Sequence, residues 1–115
     1  MLKIVFWNAN GLKTKINEFR FFANKYCPDA IVLQDTHLIP DRKIFLANYN
    51  SYYSYRANQH PQHPSGGTAI LIINNIPHNQ ITPPNLGYLD ACVVAINFKN
   101  QDPITLTSIY VPPLF

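Results

Sequence analysis

The sequence predicts a mixed α/β layer in which one helix covers part of a sheet, and three observations carry that expectation. Two short apolar runs flank a helical pattern early in the chain, only strand-like runs follow, and the last two of these are separated by a connection of hairpin length.

Leu2-Lys3-Ile4-Val5-Phe6 reads as a strand and runs directly into Trp7-Asn8-Ala9-Asn10-Gly11-Leu12. Residues two apart in extended chain point the same way, so Asn8 and Asn10 are expected to present two carboxamides on one side while the chain stays extended. Taken alone, Asn-Gly is also a strong turn signal. Ile16, Phe19, Ala23 and Tyr26 then recur at helical spacing until Pro28-Asp29 stops the pattern. Ala30-Ile31-Val32-Leu33-Gln34 suits a strand buried on both faces, and strand, helix and strand in succession predict a right-handed crossover. Tyr52-Tyr53-Ser54-Tyr55-Arg56 reads as a further strand, followed by a polar, Pro-rich loop from Asn58 to Gly67. Ser65-Gly66-Gly67 supplies a tight entry into the strand Thr68 to Ile73. Ala91 to Phe98 and Ile104 to Val111 are β-rich, with Lys99-Asn100-Gln101-Asp102-Pro103 between them.

The 115 residues fit at most one modest domain, and a two-sheet architecture commonly takes about 200 or more, so an incomplete domain is expected. No apolar run approaches the ~18 residues of a membrane span, and the N-terminus lacks a secretory pattern. The expectation is an intracellular protein, nuclear or cytoplasmic. Cys27 and Cys92 have no Cys or His partners at metal-ligand spacing and read as two reduced packing thiols. The net charge is +3, and within the first 25 residues Lys3, Lys13, Lys15, Arg20 and Lys25 are set against a single acid, Glu18. That bias fits a polyanionic partner and equally a solvated helix face.

Three polar clusters fall at strand ends: Asn8 with Asn10, Gln34-Asp35-Thr36-His37, and Ser108-Ile109-Tyr110 before Pro112. Strand ends hold side chains rigidly while exposing them to solvent, which makes them ligand sites in α/β layers. One carboxylate, two amide carbonyls and a phenol are hard oxygen donors of the kind magnesium takes alongside water and phosphate. His60 and His63 lie in the Pro-rich loop and read as solvated. Thr36 and His37 read as loop-shaping residues, and Trp7 as core.

WNANGL (Trp7 to Leu12), QDTHL (Gln34 to Leu38), SGGTAILI (Ser65 to Ile72) and SIYVPP (Ser108 to Pro113) together resemble the endonuclease/exonuclease/phosphatase family. The likeness is greatest to the endonuclease domain of jockey-type non-LTR retrotransposons. The resemblance implies the N-terminal half of a four-layer α/β sandwich, two packed mixed sheets flanked by helices, with mostly one sheet and one long helix present. Residues 1–115 would then be a partial domain. It also implies Asp35 as the metal-binding acid, oriented by Asn10 with Asn8 in support, and Tyr110 as the contact to the scissile phosphate. Asn10 and Asp35 would hold Mg2+, or Mn2+ in its place, and Asn8 and Tyr110 would meet the substrate.

The implied activity is nicking of DNA for target-primed reverse transcription, with a reverse transcriptase domain in the same polypeptide. Asp35 stands where the family carries glutamate, one methylene shorter. The family's Asp-x-Asn, later Asp and Ser-Asp-His motifs are not in the chain, so the isolated chain is expected to be inactive. Two other readings stay open: a non-catalytic mobile-element remnant or truncated gene product, and a family phosphatase acting on a small phosphoester.

Overall fold

The structure is a computed structural model that describes residues 2–39, 43–54, 66–83 and 89–111. The first apolar run forms β1 (Ile4–Asn8), and a 3-10 turn at Lys13–Lys15 leads into α1 (Ile16–Tyr26). The helix ends where Cys27 turns left-handed (φ +46°) and donates its N–H to the Ala23 carbonyl, immediately before Pro28. β2 (Ala30–Gln34) then pairs parallel with β1, from Ile4 opposite Ala30 to Asn8 opposite Gln34. This is the crossover that the two apolar runs and the helical spacing between them require.

β3 (Tyr49–Ser54) and β4 (Thr68–Ile73) complete a four-stranded sheet in the order β1-β2-β4-β3, with β2 and β3 both antiparallel to β4. β3 begins three residues before the strand read from the sequence, because Tyr49 and Tyr53 point to the same face and pack on the core beneath α1. Tyr55 and Arg56 of the expected strand lie outside the described residues, as do His60, His63 and most of the Pro-rich loop.

A second, antiparallel sheet contains β5 (His78–Ile81), β6 (Asp90–Ile96) and β7 (Ile104–Tyr110) in that order. The expected hairpin is β6 and β7, paired from Asp90 opposite Tyr110 to Ile96 opposite Ile104. β5 was not legible as a strand: His-Asn-Gln-Ile is polar and mostly exposed, and its conformation comes from pairing with β6. Its one inward anchor is His78, whose Nε2 lies 2.7 Å from the Tyr52 hydroxyl. The chain therefore supplies strands to both sheets.

Alternation along β2 divides the interior into two cores. Ile31 and Leu33 face Phe19 and Ala23 of α1, with Trp7 stacked on Phe19 at 6.2 Å between centroids. Ala30 and Val32 face the second sheet and meet Ile70, Ile72, Cys92, Val94, Ile96 and Leu106. Each of the Val, Leu, Ile and Phe side chains contributes about 1.5–3 kcal/mol on burial, which is why the continuous apolar runs occupy the central strands.

The layer between the sheets changes character along its length. Each inward row starts apolar and ends polar: Ala30, Val32, Gln34 on β2; Ile72, Ile70, Thr68 on β4; Val94, Cys92, Asp90 on β6; Leu106, Ser108, Tyr110 on β7. The pairing registers align the polar ends within each sheet, and hydrogen bonds from Gln34 to Ser108 and from Gly67 to Asp90 bring the two sheets' polar ends to the same edge of the sandwich.

Candidate active site

Three loops leave the sheets at that polar edge and are joined backbone to backbone. The Ala9 N–H donates to the Gln34 carbonyl, Gly11 N–H to Asp35 and Leu12 N–H to Thr36, each at 2.9 Å. The Thr36 N–H donates to Gly67 (3.2 Å) and the His37 N–H to Gly66 (2.9 Å). The first, second and third motifs are therefore one woven unit, although dozens of residues separate them in sequence.

The weave needs unusual backbone. Asn10, Asp35 and His37 have φ of +46°, +56° and +58°, and Gly66 and Gly67 have +68° and +84°. Left-handed geometry costs a non-glycine residue about 1–2 kcal/mol, and such residues gather where a site demands the turn. Gly67 could not be replaced without displacement, because a Cβ there would lie 3.0 Å from Thr36 Oγ1. The expectation that Asn8 and Asn10 share a side of an extended strand is corrected by this backbone. Extension stops at Asn8, and both asparagines are exposed with buried Ala9 between them.

Asp35 follows directly on β2 and is 14% exposed. Its Oδ1 accepts from His37 Nε2 at 2.9 Å and from the Gly66 N–H at 3.2 Å. Among the described residues, no donor reaches Oδ2. Asn10 sits between Ala9 and Gly11, whose amides bond to the Gln34 and Asp35 carbonyls, so its backbone lies next to the acid's loop, and the residue is exposed. The Lys15 ammonium braces this turn, 2.6 Å from the Ala9 carbonyl and 3.3 Å from that of Asn10, and stands 5.9 Å from the Trp7 ring centroid.

Tyr110 reaches the same edge from the second sheet. Gln34 Nε2 donates to Ser108 Oγ (3.1 Å), and that hydroxyl donates to the Leu33 carbonyl (2.7 Å), which ties β7 to the end of β2 two residues before the tyrosine. Asp90, opposite Tyr110, accepts from the Gly67 N–H at 3.0 Å. Successive glycine amides thus hold two carboxylates, Asp35 and Asp90. Sequence reading missed Asp90, which is 6% exposed, and gave Gly66-Gly67 only a turning role. Reflecting the two β-rich runs through their connection would have brought Asp90 close to the level of Tyr110. Thr68 Oγ1 is buried at this edge with no hydrogen-bond partner among the described residues.

The donors presented here are oxygens, and no group of three His, Cys, Asp or Glu side chains forms among the described residues. One carboxylate whose Oδ2 has no donor among the described residues, next to a turn that carries an exposed asparagine, fits a magnesium-type cation that retains several waters.

No family model matches the chain. Its sequence is 29% identical over 117 aligned residues to the RNA-directed DNA polymerase from mobile element jockey of Drosophila melanogaster. It is 31% identical over 117 to the probable RNA-directed DNA polymerase from transposon X-element of the same organism. These matches take in 97% and 99% of the chain and 12% of each relative, in the relatives' N-terminal region. Among solved structures, an AP endonuclease from Leishmania major superposes with a TM-score of 0.74 at 20% identity, across 96% of this chain and 40% of that one. The fold is that of the endonuclease/exonuclease/phosphatase family. The endonuclease domain of TRAS1, a telomere-specific non-LTR retrotransposon, shares it with a TM-score of 0.68 at 15% identity, across 99% of this chain and 48% of the domain. The chain thus spans less than half of these solved family members and about an eighth of the jockey and X-element proteins. Among the described residues, no helix is long and apolar enough to cross a membrane.

Proposed function

We propose that the chain supplies part of a divalent-cation-dependent phosphodiesterase site that nicks DNA on behalf of a non-LTR retrotransposon. The observation that carries this reading is Asp35, fixed through Oδ1 at the junction of three loops with no donor to Oδ2 among the described residues, next to the Asn10 turn and level with the strand that ends in Tyr110. In this reading Asp35 and Asn10 hold Mg2+, or Mn2+, which when bound supplies positive charge against the phosphate oxygens. Asn8 and the Tyr110 hydroxyl hydrogen-bond the DNA phosphate and fix the scissile bond. Lys15 keeps the Asn10 turn in place. The jockey and X-element relatives are RNA-directed DNA polymerases, which supports a reverse transcriptase domain in the same polypeptide.

The isolated chain is expected to be inactive, since the solved domains it matches are more than twice its length. The test is a fusion to the complementary part of an active relative, assayed on supercoiled plasmid with Mg2+. The fusion should nick, Asp35→Ala should abolish nicking, and Asp35→Glu should raise the rate at least about tenfold by restoring roughly 1 Å of reach. Equal rates for all three would remove Asp35 from the site, and nicking by the unfused chain that chelation abolishes would overturn the partial-site assignment.

A further inference from the structure

His37 contacts both loops that the proposed cation site draws on. Its ring lies against Gly11, where a Cβ would be 3.1 Å from Nδ1, so the first motif leaves room for the imidazole by having no side chain there. The opposite ring nitrogen, Nε2, lies 2.9 Å from Asp35 Oδ1. A carboxylate oxygen only accepts, so Nε2 carries the proton in this contact. His37 is itself fixed by its N–H to the Gly66 carbonyl at 2.9 Å, and Gly66 returns its own N–H to the same Asp35 Oδ1 at 3.2 Å. The result is a closed loop of contacts in which both donors fall on one carboxylate oxygen.

We infer that His37 is a positioning residue for Asp35: it pins Oδ1, turns Oδ2 outward and links the acid to the Asn10-Gly11 turn. This rests on the reading of Asp35 as the cation-binding acid and adds a role that the motif resemblance leaves unassigned. Aspartate has one methylene fewer than glutamate with which to find its ligand. A donor that fixes its rotation therefore matters more here than it would for the longer acid. Partners of this kind, donating to a ligand rather than to the metal, typically change metal affinity about 10–100-fold when removed.

The test uses the 115-residue chain with Mn2+ as a paramagnetic probe, following saturable broadening of the Gly11 and Gly66 amide resonances, with thermal melts alongside. Asp35→Ala should abolish the broadening. His37→Phe keeps a ring over Gly11 but loses the donor, and should weaken Mn2+ binding by about 10–100-fold at a similar melting temperature. His37→Gln restores an N–H donor and should recover most of that loss. Binding by His37→Phe as tight as in the unsubstituted chain overturns the inference. Absence of saturable broadening in the unsubstituted chain overturns the reading of Asp35 itself, and His37 falls with it. Imidazole 15N shifts of the unsubstituted chain give an independent check that no variant's folding can obscure: they should show a proton on Nε2, and a proton on Nδ1 alone overturns the inference.

Discussion

Cys92 lies between the sheets, 2% exposed, and burial pushes its thiol up from 9.0 to about 11. A folded-state value above the unfolded one means that the fold favours the neutral thiol. That contribution is complete below pH about 9 and is lost as pH rises through about 11. Tyr49 and Tyr52 are raised by burial as well and act with the same sign. The urea midpoint should therefore fall between pH 9 and 11, and Cys92→Ala should flatten part of the decline. A thiol reagent at neutral pH should label exposed Cys27 at once and Cys92 only on unfolding. Equal labelling rates would contradict the placement of Cys92. Single residues were legible in the sequence where an apolar run stops, as at Asp35 and Tyr110, because strand ends follow from hydrophobic pattern alone. Asp90 was not, since its importance comes from a Gly67 amide on the other sheet. At Asn10-Gly11 the turn signal is the one the structure follows, with Asn10 left-handed between bonds to Gln34 and Asp35, while the extended alternative that would align Asn8 with Asn10 is not adopted.

The helix α1 was readable from its spacing and its Pro28 stop, and its end contains a correctable strain. Cys27 occupies a left-handed position that glycine adopts without a Cβ penalty, and its Sγ makes a weak 3.4 Å contact to the Asn24 carbonyl. Cys27→Gly should raise stability by about 0.5–1 kcal/mol in urea unfolding. A loss of that size would mean that the Sγ contact outweighs the backbone strain. Among the strands, β2, β4 and β6 announced themselves because two-sided burial demands continuous apolar residues. β5 is short and polar, and it exists through pairing, a tertiary cause that leaves no local mark.

At the level of the whole molecule, the second sheet packs over β2, β3 and β4, and on β1 Ile4 still packs against the core between the sheets while the same face is open farther along the strand. Phe6 points to that face and is 65% exposed, and a groove of about 350 Å³ beside it runs between β1 and α1, lined by Val5, Trp7, Phe19 and Phe22. Exposed Ile104 and Ile109 lie on β7, an edge strand of the second sheet among the described strands. An open strand edge beside apolar surface pairs with other chains. Sedimentation velocity should show concentration-dependent association of the chain, and Phe6→Ser should move it toward monomer. A monodisperse monomer across the accessible range would show that this edge is self-sufficient.

The single hydrogen bond from Gly67 to Asp90 gives the sandwich a built-in reporter. Amides within β2 and β4 are shielded from deuterium by neighbours in their own sheet, so they exchange when that sheet unzips. The Gly67 amide is shielded by an acceptor on the opposite sheet, so it exchanges when the two layers part, even with both ladders intact. Comparing the exchange rates of these two kinds of amide therefore separates undocking of the sheets from their unravelling.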